Sequence, residues 1–299
     1  MPALRLRPFD VALMAVGVVG VSMSGPLMAA MAVPALAVAF WRNALGTAAI
    51  APVALVGHRA ELSRLSGADL RLIALAALAL ALHFATWVSS LRLTSVASAT
   101  ALVSLQAGWI VLIAWSRGQR PAPRVGVGLL LCLAGVFVVT GVDVTVSREA
   151  LIGDLLALVG GVAAAVYVLV GGRVRQRTNT TVYTFCCYGI CAAVLLLACL
   201  LGGASLWGYP SFDWWRLLAL TLVAQLLGHS VFNHLLATVS PTVVSLAILL
   251  EVPGAALLAG WFLGQSPQWG VYVGLVLLLA GLAVVVAVRR EAPREHVPD

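Results

Sequence analysis

The residues that could do chemistry in this sequence stand inside long apolar runs. Glu251 is the eleventh residue of the run 241–263 and the only carboxylate at mid-depth of such a run. A carboxyl there could couple transport to protons or recognise a cation; the alternative is a neutral or paired structural carboxyl. His83 and Trp87 are four residues apart and therefore share one helix face. Gln225, His229 and Asn233 repeat that spacing, with His234 adjacent. Imidazole, indole and amide groups so placed could hydrogen-bond and stack on a polar solute. Gln106 and Trp109 sit in the inner part of the run 95–115, and Trp109 is a candidate cavity wall. Tyr167, Ser22 and Ser24 are further candidates, and Arg42 is the one arginine inside a run, placed to snorkel, meet a helix end or hold a carboxylate. For all of these the alternative is hydrogen bonding between helices, about 0.6 kcal/mol per contact in a membrane.

Nothing around these residues suggests bond-making chemistry. There is no nucleophile–base pairing, no nucleotide-binding motif and no metal-ligand spacing. Cys132, Cys186, Cys187, Cys191 and Cys199 all lie in apolar runs and read as small packing residues, although Cys187 and Cys191 are one helical turn apart. We expect no catalytic residue, no metal and no cofactor.

The elements that must carry these groups follow from composition. Of 299 residues, 62% are hydrophobic and 10% charged, and mean hydropathy is +1.05. A soluble domain carries about 25% charge, so one globular core cannot hide this excess and the class is an integral membrane protein. A bilayer core about 30 Å thick takes roughly 20 helical residues. Ten runs qualify: 9–28, 35–56, 70–91, 95–115, 124–141, 152–172, 180–201, 214–236, 241–263 and 268–288. The first is longer than a signal-peptide core and leads to no cleavage site, so it is read as a span.

All 18 basic residues are arginine, and their distribution orients the chain. With the N-terminus inside, Arg5, Arg7, Arg59, Arg64, Arg71, Arg117, Arg120, Arg124, Arg173, Arg175, Arg177, Arg289, Arg290 and Arg294 are cytoplasmic, against Arg92, Arg148 and Arg216 outside. That split places both termini in the cytoplasm. Trp207, Trp214, Trp215 and Trp269 would anchor the outer surface. No arginine stripe with interleaved aromatics suggests nucleic acid.

The sequence also repeats. At a shift of 146, Gly108, Trp115, Gly118, Gln119, Pro121 and Gly128 fall on Gly254, Trp261, Gly264, Gln265, Pro267 and Gly274, and His83 falls on His229. At 144, Asp10 and Gly17 fall on Asp154 and Gly161. Two halves of five spans each, 9–141 and 152–288 with a cytoplasmic tail 289–299, must be inverted because five is odd. The expected fold is therefore an all-α integral membrane protein with ten transmembrane helices as two inverted five-helix repeats. Such architectures place a solute site at the midplane and alternate access to it, which suggests a secondary transporter.

On these residues the chain resembles the drug/metabolite transporter superfamily, in its ten-helix EamA-type branch. The resemblance rests on Gly153-Asp154-Leu155-Leu156-Ala157-Leu158, on Arg42, on Glu251-Val252-Pro253 followed by Leu263-Gly264-Gln265, and on the Leu-x-x-Ala-Gly patterns ending at Gly135 and Gly281. Two departures stand out: Gln119 and Gln265 occupy places where members often carry Glu, and Val252 separates Glu251 from its proline. The resemblance implies export of small metabolites, with amino acids a recurrent class and the aromatic amino-acid and paraquat exporters a near branch. It also implies a central cavity with the fifth and tenth helices at the periphery. Residues expected to bind substrate are His83, Trp87, Gln106, Trp109, Tyr167, His229 and Asn233, with Glu251 as proton-coupling candidate. Partners would be a small-molecule substrate and the bilayer, in a monomer or homodimer of the cell inner membrane. The rival readings are a nucleotide-sugar or sugar-phosphate exchanger, which needs several basic groups in the cavity, and an intramembrane enzyme, which needs a catalytic cluster.

Overall fold

The computed structural model describes residues 7–118, 126–128, 130–132, 134, 135, 137, 138 and 147–290. Among them the regular structure is helical, with no strand. Seven helical stretches are long and apolar enough to cross a membrane: Pro8–Ala29, Ala35–Gly57, Gly67–Ser90, Val96–Ser116, Arg148–Val174, Thr180–Leu201 and Ser211–Leu235. Each matches an expected run to within four residues at either end. The expected span 124–141, with Gln119, lies largely outside the described residues. Over the last two expected spans lie the helices Pro241–Ile248, Glu251–Leu263 and Trp269–Arg290, whose apolar stretches Glu251–Leu263 and Trp269–Gly281 are shorter than the seven above.

Side chains at the ends explain where the helices begin. Ser66 and Asp69 form a reciprocal cap, the Ser66 hydroxyl accepting from the Asp69 N–H at 3.1 Å and the Asp69 carboxylate accepting from the Ser66 N–H at 3.3 Å. Ser95, Ser147 and Asn179 cap three more helices by accepting from the backbone N–H of Ser98, Ala150 and Thr181. Gly264, with φ of 62°, closes Glu251–Leu263 in the left-handed region where glycine is unstrained.

Five of the spans are irregular, the second because it ends in a five-residue π-helix, Val53–Gly57. We label the pieces α1 (Pro8–Ser22), α2 (Ser24–Ala29), α3 (Ala35–Pro52), α4 (Arg59–Leu62), α5 (Gly67–Ser90), α6 (Val96–Val103) and α7 (Gln106–Ser116). They continue as α8 (Arg148–Val174), α9 (Thr180–Leu201), α10 (Ser211–Ala219), α11 (Val231–Leu235), α12 (Pro241–Ile248), α13 (Glu251–Leu263) and α14 (Trp269–Arg290). The first span breaks at Met23 and the ninth at Leu249 and Leu250. A proline is the third residue past each break, Pro26 in α2 and Pro253 in α13. A proline ring clashes with the carbonyl four residues back, so the helix must restart just before it. The fourth span breaks at Ser104 and Leu105, where ψ falls to −10° and −5° and the Leu105 N–H bonds the Leu102 carbonyl, a tightened turn. The eighth span contains an 11-residue π-helix, Leu220–Ser230, between α10 and α11.

The fourth span is the centre of the bundle, 83% buried by protein against 33–61% for the other six long stretches. The helix α8 packs along α5 and against α6, and α9 packs along α3. Two close approaches require glycine. A Cβ on Gly161 of α8 would come within 2.9 Å of the Val103 carbonyl, at the break in the fourth span. A Cβ on Gly20 would come within 2.7 Å of the Val223 carbonyl and 2.9 Å of the Gly228 nitrogen, so α1 and the π-helix touch backbone to backbone.

Candidate functional site

A pocket with an accessible interior of about 30 Å³ lies where these irregular pieces converge. Residues at or beside two of the breaks line its wall: Val103, Ser104 and Gln106 from the fourth span, Ile248 and Glu251 from the ninth. His83 and Trp87 come from α5, Tyr167 from α8, His229 from the π-helix and Asn233 from α11. Seven of the eight residues expected from sequence thus line one cavity. Trp109 does not: it packs against the apolar core beside the cavity, with its indole N–H buried and without a partner.

Each polar group has a distinct status. The His83 Nδ1 lies 3.1 Å from the Gly160 carbonyl, which can only accept, so Nδ1 carries the proton and Nε2 remains for another partner. The His83 ring stacks on Trp87 at 5.5 Å between centroids, 23° from parallel, as their spacing on α5 requires. It faces His229 across the cavity at 6.4 Å. Tyr167 and Asn233 satisfy each other, the phenol donating to Asn233 Oδ1 at 2.7 Å. In contrast, Trp87 Nε1, Ser104 Oγ and Glu251 Oε1 are buried with no hydrogen-bond partner. Three orphaned polar atoms on the wall of one cavity are costly unless something fills it.

Behind this wall lies a second polar cluster that the sequence reading placed differently. Gln225, His229 and Asn233 do not share a face. The π-helix gives more residues per turn than an α-helix, so Gln225 turns to the second span while His229 and Asn233 keep the cavity. Arg42 neither snorkels nor meets a helix end; it is completely buried. It donates from Nε to Gln225 Oε1 at 2.8 Å and from one terminal nitrogen to Ser24 Oγ at 3.1 Å, with its guanidinium carbon 4.1 Å from the Phe84 ring centre. Gln225 donates in turn to Asn43 Oδ1 at 3.1 Å. A chain of bonds joins the two regions: Asn233 donates to Tyr188 OH at 3.2 Å, Tyr188 OH pairs with Ser230 Oγ at 3.1 Å, and Ser230 donates to the Gln225 carbonyl at 3.1 Å. Among the described residues no ion pair joins Arg42 to Glu251.

Other sequence candidates stand apart. Ser22 donates back to the Val18 carbonyl, and His234 meets Thr180 Oγ1 at an exposed position. Sequence reasoning missed Ser104 and Tyr188. Ser104 carries a usable signal, a hydroxyl at mid-span two residues before Gln106; Tyr188 carries only its depth within an apolar run.

No group of three histidine, cysteine or carboxylate side chains suited to a metal occurs among the described residues. The decisive comparison is with protein families: the EamA-like transporter family matches residues 9–141 and again 151–287. The chain belongs to the EamA-like transporter family. This family member is 24% identical over 253 residues to an uncharacterized transporter of Archaeoglobus fulgidus, covering 83% of this chain and 86% of that relative. It also superposes on the crystal structure of a protein with a TM-score of 0.68 at 21% identity, covering 96% of this chain and 100% of the other. A likeness at that identity concerns the fold. The EamA protein is therefore a multi-pass membrane transporter and not an enzyme.

Proposed function

We propose that this EamA transporter exports small metabolites, amino acids or related solutes, by alternating access in the cell inner membrane. The observation that carries the reading is a cavity lined by residues at or beside the breaks in the fourth and ninth spans. Those breaks fall at corresponding places of the sequence, since Ser104 meets Leu250 at the shift of 146. Discontinuous helices at a midplane site are a device of transporters built from inverted repeats, and ten helices in two such repeats are the architecture we infer. Within it, the aromatic amino-acid exporter branch suits a wall containing Trp87, Tyr167 and Phe232. Both termini would lie in the cytoplasm, as the arginine bias requires.

In this reading His83, Trp87, Gln106, Tyr167, His229 and Asn233 form the substrate wall, Trp109 supports it, and Glu251 is the proton-coupling group. A phosphate-bearing substrate is disfavoured because no arginine lines the cavity; Arg42 bonds Gln225 and Ser24 behind the wall. The test is flux of amino acids from sealed vesicles containing the purified protein, measured against pH for the wild type, Glu251→Gln and His83→Ala. The reading expects flux in the wild type, a flattened pH dependence in Glu251→Gln, and weakened substrate affinity in His83→Ala. Absence of flux for every solute tried overturns transport; unchanged affinity and pH dependence overturn the residue roles.

A further inference from the structure

The three orphaned atoms on the cavity wall describe a ligand. Glu251 contributes a buried acceptor, Oε1, and Trp87 Nε1–H a buried donor; the Ser104 hydroxyl serves as either. The hydroxyls of Ser22, Thr47, Thr86, Ser89, Thr184 and Thr221 all donate to the carbonyl four residues back, whereas those of Thr100, Ser104 and Ser245 have no partner, and of these three only Ser104 lines the cavity. Ser104 lies at a break and makes no such bond.

Formal charge narrows the choice. Glu251 is the only carboxylate on the wall, and no arginine lines it; the other titratable groups there are His83, His229 and Tyr167. Arg42 does not line the cavity: it lies over the Phe84 ring, and Phe84 packs edge-on against His229 at 5.4 Å. A monocation beside a carboxylate leaves the occupied site neutral, whereas an anion would add a second negative charge in a low-dielectric interior. Trp87 and Phe232 supply the apolar and aromatic part of the lining against which a hydrophobic body attached to that cation would pack.

We propose that the cavity selects its solute by a protonated amine held at Glu251, with the Trp87 indole N–H and the Ser104 hydroxyl bonding a neutral or carbonyl-bearing part of the solute. This rests on the transport reading and makes the amine obligatory and the carboxylate dispensable. The preferred class is small amines with an apolar or aromatic body, ahead of the corresponding zwitterions.

Equilibrium binding to the full chain in detergent tests this with three matched probes: phenethylamine, phenylalanine and 3-phenylpropanoate. Phenethylamine is expected to bind at least about tenfold more tightly than 3-phenylpropanoate, a modest value for one buried charge-assisted contact, with phenylalanine between them. Glu251→Gln removes the order; Ser104→Ala weakens phenylalanine while leaving phenethylamine ahead of 3-phenylpropanoate. Equal or tighter binding of 3-phenylpropanoate overturns the proposal and directs attention to Arg42, as does an order that survives Glu251→Gln. Binding of none of the three also overturns it. Because vesicle flux is measured separately, amine selection can fail while transport of other solutes stands, and the two failures are told apart.

Discussion

Arg42 and Glu251 are charged residue types deep inside the spans, and the structure separates their work. Arg42 bonds Gln225 and Ser24 and lies over the Phe84 face, with one terminal nitrogen left without a partner. Replacing it with alanine leaves a cavity and strands the Gln225 carbonyl oxygen, so Arg42→Ala should destabilise the protein by about 2–4 kcal/mol. Thermal unfolding in detergent would show it, while Arg42→Lys should recover part of the loss, since an ammonium donates without the planar fork. Glu251 has no such neighbours, and its substitution by glutamine should leave the melting temperature nearly unchanged while altering flux. A large loss of stability in Glu251→Gln would mark it as a structural carboxyl instead.

At the scale of the elements, the breaks are what turn apolar spans into a site. Proline accounts for those at Met23 and at Leu249 and Leu250. The fourth span has no proline near its break, and there the contact of Gly161 with the Val103 carbonyl is the structural constraint. Gly161→Val would push two branched carbons into that carbonyl. We expect a loss of about 1–3 kcal/mol in stability, typical of overpacking, together with slower flux as Ser104 and Gln106 shift. Flux that survives a measurable drop in melting temperature would show that the break does not depend on this contact. Gly20→Val should be worse for folding, because the atoms it meets are backbone on the π-helix and cannot rotate away.

For the whole molecule, alternating access makes a prediction no single residue can. With all five cysteines replaced and Ser104→Cys introduced, a membrane-impermeant thiol reagent should label position 104 from either side of sealed vesicles. A transported solute should protect it from both. Labelling confined to one side under all conditions would contradict alternating access while leaving the cavity intact. Reporter fusions at the two termini test orientation independently, and both should report the cytoplasm.

Membrane class, the placement of the described spans and most of the cavity wall were legible in the sequence. Apolar runs of bilayer length and isolated polar groups within them are local properties, and their cost in lipid forces the polar groups inward together. His83 and Trp87 stack because four residues bring side chains onto one helix face, and that spacing held in the regular helix α5. The same spacing failed for Gln225, since the π-helix changes the residues per turn and no sequence rule applied here marks where it begins. The burial of Arg42, the exclusion of Trp109 from the wall and the unpartnered hydroxyl of Ser104 depend on contacts between residues far apart in sequence. Tertiary structure alone decides these, because which polar groups satisfy one another, and which are left to meet a solute, is fixed only when all the helices are packed.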